Sequence, residues 1–133
     1  MAITDEYSKI SMTYSEVWDD VENFAKGLQA LGVKKSDFVG IFSENNGRWA
    51  VIDFGILKCG AIDVLRGANA PVDELDYIIK HSDMSGIVIS NIATFYKLKL
   101  ILQKHKTLNF VILMFSSDDL DYLFEHKEFR ECV

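Results

Sequence analysis

Proline is almost missing from this chain: Pro71 stands alone among 133 residues, and the eight glycines are scattered. Such a composition excludes collagen-like and low-complexity disordered chains. Cysteine is nearly as scarce. Cys59 lies in an apolar stretch and Cys132 is the penultimate residue, so there is no disulfide framework and no paired CxxC or Cys/His metal spacing. A reducing, cytoplasmic setting is the expectation. The N-terminus, MAITDEYSK, has neither the basic flank nor the apolar core of a signal peptide. No apolar run approaches the roughly 18 residues needed to cross a bilayer. A basic excess is lacking too: 14 Lys and Arg against 20 Asp and Glu leave a net charge of −6. That is a poor match to nucleic acid, which is bound through clustered cations.

What the chain does have is apolar side chains, 49% of the total, with 26% charged. A chain of this length buries about two thirds of its unfolded surface, enough for a core without staples. The pattern turns on residues 37–67, DFVGIFSENNGRWAVIDFGILKCGAIDVLRG. Phe38-Val39-Gly40-Ile41-Phe42 has strand length and a partly β-branched composition. Ser43 to Gly47 supplies turn chemistry, with an asparagine as N-cap. Trp49 to Cys59 is apolar almost all round, broken only by Asp53 and Lys58, which predicts a helix buried on most of its faces. Gly60 stops it, and Ala61 to Leu65 reads as a second strand. Strand, helix, strand over so short a span is a βαβ unit, with its strands parallel in one sheet.

The alternation continues on either side. Residues 1–12 are expected to be extended, with Ile10 and Met12 toward one face. Thr13-Tyr14-Ser15-Glu16 has the spacing of a capping box. Val17, Trp18, Val21, Phe24, Ala25, Leu28 and Leu31 then form one apolar stripe of a helix that ends at Gly32. Pro71, Asp73 and Glu74 mark the first turn of a third helix, with Leu75, Ile78 and Ile79 inward and His81-Ser82-Asp83 closing it. Gly86-Ile87-Val88-Ile89 is a third strand, continuously apolar and so buried on both faces. Ile92 to Lys106 is a fourth helix and Phe110 to Phe115 a fourth strand. Ser116 to Asp119 opens a short final helix with Leu120, Leu123 and Phe124 inward. The whole predicts an α/β fold, a mostly parallel open sheet covered by helices on both faces, as one unit over residues 1–133.

Open parallel sheets bind ligands at the carboxyl ends of their strands. Here those are Ser43 to Arg48, Arg66 to Asn69, Ser90-Asn91 and Ser116 to Asp119. Neither GxGxxG nor GxxxxGKS/T occurs. Several residues carry two readings. Arg48 and Arg66 either bind an anion or pair with carboxylates. Trp49 either stacks a ring or packs in the core. Cys59 has no base near it in sequence and reads as a small buried hydrophobe rather than a nucleophile. His81, His105 and His126 sit at helix C-termini, where a cation suits the dipole; the alternative is a metal trio. Lys97, Lys99, Lys104 and Lys106 make either a solvated face or a contact for an anionic membrane. Asp19-Asp20 falls on the exposed side of its helix. No residue is assigned a catalytic, cofactor-binding or metal-binding role.

An ordered set of short motifs runs from Met12 to Ser90. It comprises Thr13 to Val17, Gly27-Leu28, Leu31 to Asp37, Val39 to Asn45, Trp49, Gly60 to Val64, Arg66-Gly67, Glu74 to Ile78 and His81-Ser82. In this order and spacing they resemble the N-terminal part of the AMP-forming acyl-CoA synthetases, the adenylate-forming family that includes long-chain fatty acid–CoA ligases. Two positions depart from the family, which usually has Gly where Ser36 stands and Pro where Leu65 stands. The family's phosphate loop, adenine, magnesium, hinge and C-terminal lysine motifs lie downstream of the matched region. The resemblance therefore implies an N-terminal fragment of a larger AMP-binding domain, with the remainder of the synthetase chain as its partner. ATP, Mg, CoA and a fatty acid are implied for the full-length enzyme, and the fragment alone is expected to be inactive.

Two other classes compete. The same α/β unit also reads as a non-catalytic interaction or dimerisation module, with self-association expected from an open sheet edge. A signalling receiver or flavodoxin-like domain shares the alternation. A receiver, however, needs an acidic pair after its first strand and an Asp ending a middle one. Ser43-Glu44 follows Phe42 here, and Ser90 follows Ile89.

Overall fold

Strands and helices alternate along the chain in the computed structural model, which describes residues 3–6 and 9–115. In order they are β1 (Ile3–Asp5), β2 (Ile10–Met12), α1 (Tyr14–Ala30), β3 (Phe38–Phe42), α2 (Trp49–Lys58) and β4 (Ile62–Arg66). Then come α3 (Val72–Ser82), β5 (Gly86–Ile89), α4 (Ile92–Lys104) and β6 (Phe110–Leu113). The helix expected after Ser116, His126 and Cys132 lie outside the described residues. The chain divides into two compact units, Met1–Asp37 with Asn45–Asp63 and Phe38–Glu44 with Val64–Val133.

In the first unit, the stretch expected only to be extended is an antiparallel hairpin pairing Ile3 with Met12 and Asp5 with Ile10. Thr13 caps α1: its Oγ1 accepts the Glu16 N–H at 3.2 Å. The Glu16 carboxylate takes the Thr13 hydroxyl at 3.1 Å, so the two side chains close the cap on each other. The other end of α1 is a Schellman motif. Val33 N–H reaches the Leu28 carbonyl and Gly32 N–H the Gln29 carbonyl, at 3.1 and 3.0 Å, with Gly32 at φ +95°. Val21, Ala25 and Leu28 are buried as the stripe requires, and α1 packs on α2.

Two expectations fail in this unit. Trp18 is 55% exposed, because it falls at the margin of the stripe, where the Lys58 ammonium lies 4.8 Å from its ring centroid. Helix α2 is buried along Val51, Ile52, Gly55 and Ile56 but leaves Phe54 53% exposed. Apolar composition makes a helix able to bury a face; only a neighbour does bury it.

The second unit holds the sheet, in the order β4-β3-β5-β6. Strands β3 and β5 pair in parallel with Val39 opposite Gly86, and β5 and β6 with Gly86 opposite Phe110. Phe42, Ile87, Ile89, Val111 and Leu113 on one face pack with Leu75 and Ile79 of α3 and Phe95, Leu98 and Leu102 of α4. Val39, Ile41, Val88 and Ile112, on the alternate positions, are buried as well. Strands buried on both faces account for their unbroken apolar runs. Asn91 caps α4 by accepting the Thr94 N–H at 3.0 Å.

Candidate functional site

The carboxyl ends of β3, β4 and β5 place Ser43, Arg66 and Ser90 along one edge of the sheet, where open parallel sheets take ligands. Ser43 is buried. Ser90 Oγ donates to Ser43 Oγ at 2.9 Å, and Ser43 Oγ donates to the Glu44 carbonyl at 2.9 Å. The Ser43 N–H donates to the Arg66 carbonyl at 3.1 Å. Beyond β6, Met114 and Phe115 donate to the Ile89 and Ser90 carbonyls.

The loop between β4 and α3 is tied down at the same edge. Lys97 Nζ, from α4, donates to the Ala68 carbonyl at 2.6 Å and the Ala70 carbonyl at 3.4 Å. Arg66 holds Glu74 through Nη2 at 2.8 Å and Nε at 2.9 Å, so its carboxylate reading is the one the structure takes. The Glu44 carboxylate lies over Gly67 so closely that a Cβ there would sit 2.8 Å from Oε1. A polyphosphate needs donors aimed at it and cations not already committed. Arg66 and Lys97 hold the loop and Glu44 adds a negative charge, so these residues do not fit ATP with its metal. Among the described residues no three His, Cys, Asp or Glu side chains converge to hold a metal ion.

The remaining candidates are dispersed. The Arg48 N–H is taken by Asn46 Oδ1 at 2.9 Å, an Asx turn leading into α2. Trp49 is half-buried. Cys59 donates its thiol to the Ala25 carbonyl at 3.3 Å, and burial pushes its pKa up against the opposing effect of Lys58. A thiol held protonated is a poor nucleophile. His81 stacks on Tyr77 with ring centroids 5.5 Å apart. Asp19 and Asp20 are exposed, as expected.

Two clusters escape the sequence reading. In the first unit, Asp53 of α2 meets Asp63 of β4 carboxyl to carboxyl. Burial, then the hydrogen bond to Asp63, then its charge push the Asp53 pKa up to about 6. Asp53 Oδ1 is buried with no hydrogen-bond partner among the described residues. In the second unit, Asp76 of α3 receives Lys104 Nζ at 2.7 Å and His105 Nε2. The hydrogen bond from Lys104, then that from His105, hold the Asp76 carboxyl below the usual aspartate value. Neither pair had a local signal, because the partners are 10 and 28 to 29 residues apart.

A family model described as AMP-binding enzyme matches residues 1–131. A chloroplastic long-chain-fatty-acid–acyl-carrier-protein ligase of Arabidopsis thaliana is 34% identical over 116 residues, 86% of this chain and 16% of that one. A medium/long-chain-fatty-acid–CoA and 3-oxocholest-4-en-26-oate–CoA ligase of Mycolicibacterium smegmatis is 34% identical over 91 residues, 65% of this chain and 16% of that one. Among solved structures, the adenylation domain of a Mycobacterium chelonae carboxylate reductase superposes with TM-score 0.76 at 17% identity. That match covers 84% of this chain and 17% of that one. The chain thus spans about a sixth of the length of the curated relatives it matches.

Proposed function

Because the chain belongs to the AMP-binding enzyme family, we propose that it is the first α/β portion of an AMP-forming fatty acid–CoA ligase. Such an enzyme joins a fatty acid to ATP as an acyl-adenylate, releasing pyrophosphate, and then passes the acyl group to the thiol of CoA. In this reading these 133 residues are scaffold. The remainder of the ligase polypeptide is their partner, and it supplies the sites for ATP, Mg and CoA. The observation that carries the reading is the family match over residues 1–131 in a chain spanning 16% of its first relative.

A fatty acid as the acyl substrate is supported by the two relatives whose names specify one. Inactivity of the chain alone is supported by the strand ends, where Ser43, Ser90, Arg66 and Lys97 are engaged with their own neighbours. A reducing cytoplasm is the proposed setting, with Cys59 a free thiol. No helix among the described residues is long and apolar enough to cross a membrane.

The test is the size of the native polypeptide in source cells, detected with an antibody raised against these residues. A band several times heavier, whose purified product forms acyl-CoA, supports the reading. A band at the size of the 133-residue chain contradicts it. In that case β4 favours the second reading, a self-associating module. It ends the sheet order, and Ile62 and Leu65, on opposite faces of the strand, are both exposed. Light scattering at high concentration would then find a dimer.

A further inference from the structure

We propose that Asn46 is a deamidation site, reacting through a cyclic imide with Gly47, and that Asp5 of β1 holds the reaction in check. Asn46-Gly47 is the one place in the chain where a glycine follows an asparagine. Asparagine is a thermolabile residue. It is most so before glycine, which has no side chain to obstruct the approach of its own backbone nitrogen to the preceding amide. The fold cannot exchange that glycine for another residue. A Cβ on residue 47 would sit 2.7 Å from the Cβ of Ile10 on β2, so the hairpin packs against a position that must stay bare.

The electrophile is primed. Asn46 is half-buried, and its Oδ1 accepts the Arg48 N–H at 2.9 Å. That donor would steady the negative charge that gathers on the oxygen during attack at Cγ. The nucleophile is restrained. The Gly47 N–H donates to Asp5 Oδ2 at 2.7 Å, across 42 residues of sequence. Attack requires the nitrogen to lose this proton and turn its lone pair on Cγ. A carboxylate at hydrogen-bond distance opposes both, because it stabilises the N–H and repels the anion that would replace it. Asp5 and Ile10 face each other in the hairpin register, so one pair of residues both fixes the glycine and restrains its nitrogen.

The step balances with water alone. The Gly47 proton passes to hydroxide, the N–Cγ bond forms, the Cγ–Nδ2 bond breaks, and Nδ2 leaves as ammonia after taking a proton from water. Water then opens the imide at either carbonyl, leaving aspartate or isoaspartate at position 46. Isoaspartate also lengthens the backbone by a methylene at the entry to α2. This inference stands on the first unit and is independent of the ligase reading.

The test is incubation of the 133-residue chain at mildly alkaline pH, folded and in urea. Conversion at Asn46 is followed by mass spectrometry of its proteolytic peptides, and isoaspartate by enzymatic methylation. The expected result is conversion in urea, and conversion about tenfold slower in the folded chain. In Asp5→Val the folded rate should rise by about tenfold, the factor carried by one charge-assisted hydrogen bond. Amide exchange separates restraint from unfolding: the Gly47 amide should exchange faster while those of β1 and β2 do not change. If Asp5→Val does not fold, Asp5→Asn takes its place, with a rise in rate again expected. No conversion at Asn46 in urea overturns the proposal, as do equal rates in the folded and unfolded chains. A variant that converts at the parent's rate also overturns it. So does a slower variant, which would make Asp5 the base of the reaction. A faster rate accompanied by faster exchange throughout β1 and β2 overturns it too, leaving Asp5 a structural residue of the hairpin.

Discussion

Gly86 of β5 lies directly opposite Phe110 of β6, and the tip of the phenyl ring covers it so closely that a Cβ on residue 86 would sit 2.0 Å from Cζ. The strand pair at the heart of the second unit therefore depends on one missing side chain. Gly86→Ala is expected to destabilise the chain by about 3 kcal/mol, the cost of overpacking a filled core. A second change, Phe110→Leu, should recover part of the loss by withdrawing the ring. Urea denaturation of the single and double variants checks it, and equal stability of Gly86→Ala and the parent would remove the contact from the account.

The Asp53–Asp63 pair gives a pH dependence of known sign. The folded chain holds the Asp53 proton up to about 6, against 3.8 ordinarily. The stability this contributes is complete below about 3.8 and lost as pH rises through about 6. Asp53→Asn should therefore flatten the stability profile across that window. At neutral pH it should stabilise by about 1 kcal/mol, a figure kept small because solvent screens a part-exposed pair. Thermal melts from pH 4 to 8 would read this.

Asp76 runs the other way. Its carboxyl is held below the usual value by Lys104 and then His105. Its contribution is present above the unfolded-state pKa and lost as acid protonates the folded carboxylate. Asp76→Asn should lower stability at pH 7 by about 1 kcal/mol and leave the most acidic end of the profile unchanged. A full-sized loss that persists in strong acid would point to packing instead.

Ser36 sits at φ +73°, in the left-handed region where side chains other than glycine are strained. Ser36→Gly should stabilise by up to about 1 kcal/mol, the relief of strain exceeding the added freedom of the unfolded chain. A shift of the urea midpoint upward with unchanged slope is the expected reading.

Periodic features were legible from the residues alone. The bounds of β3 were expected as found, Gly32 and Gly60 end their helices at positive φ, and Asp83 closes α3 at φ +51°. Each depends on neighbours in sequence. What sequence did not show depends on neighbours in space. The hairpin of β1 and β2 pairs strands of only three residues, too short for alternation to register. Trp18 and Phe54 look like core residues until the packing of α1 on α2 is known. At the sheet edge, the serines and arginine were identifiable as strand ends, but their use could not be read. Lys97 was expected on an outward face, yet it holds the carbonyls of a loop nearly thirty residues away. Arg66 was left between anion and carboxylate because Glu74 comes within reach only once α3 begins.

The central claim is that this chain is scaffold from an adenylate-forming ligase and carries no adenylation chemistry by itself. The most direct measurement is fatty-acid-dependent exchange of pyrophosphate into ATP by the purified 133-residue chain. The account predicts no exchange above a protein-free blank at any chain length of fatty acid. Exchange that depends on the fatty acid and scales with protein concentration would contradict it.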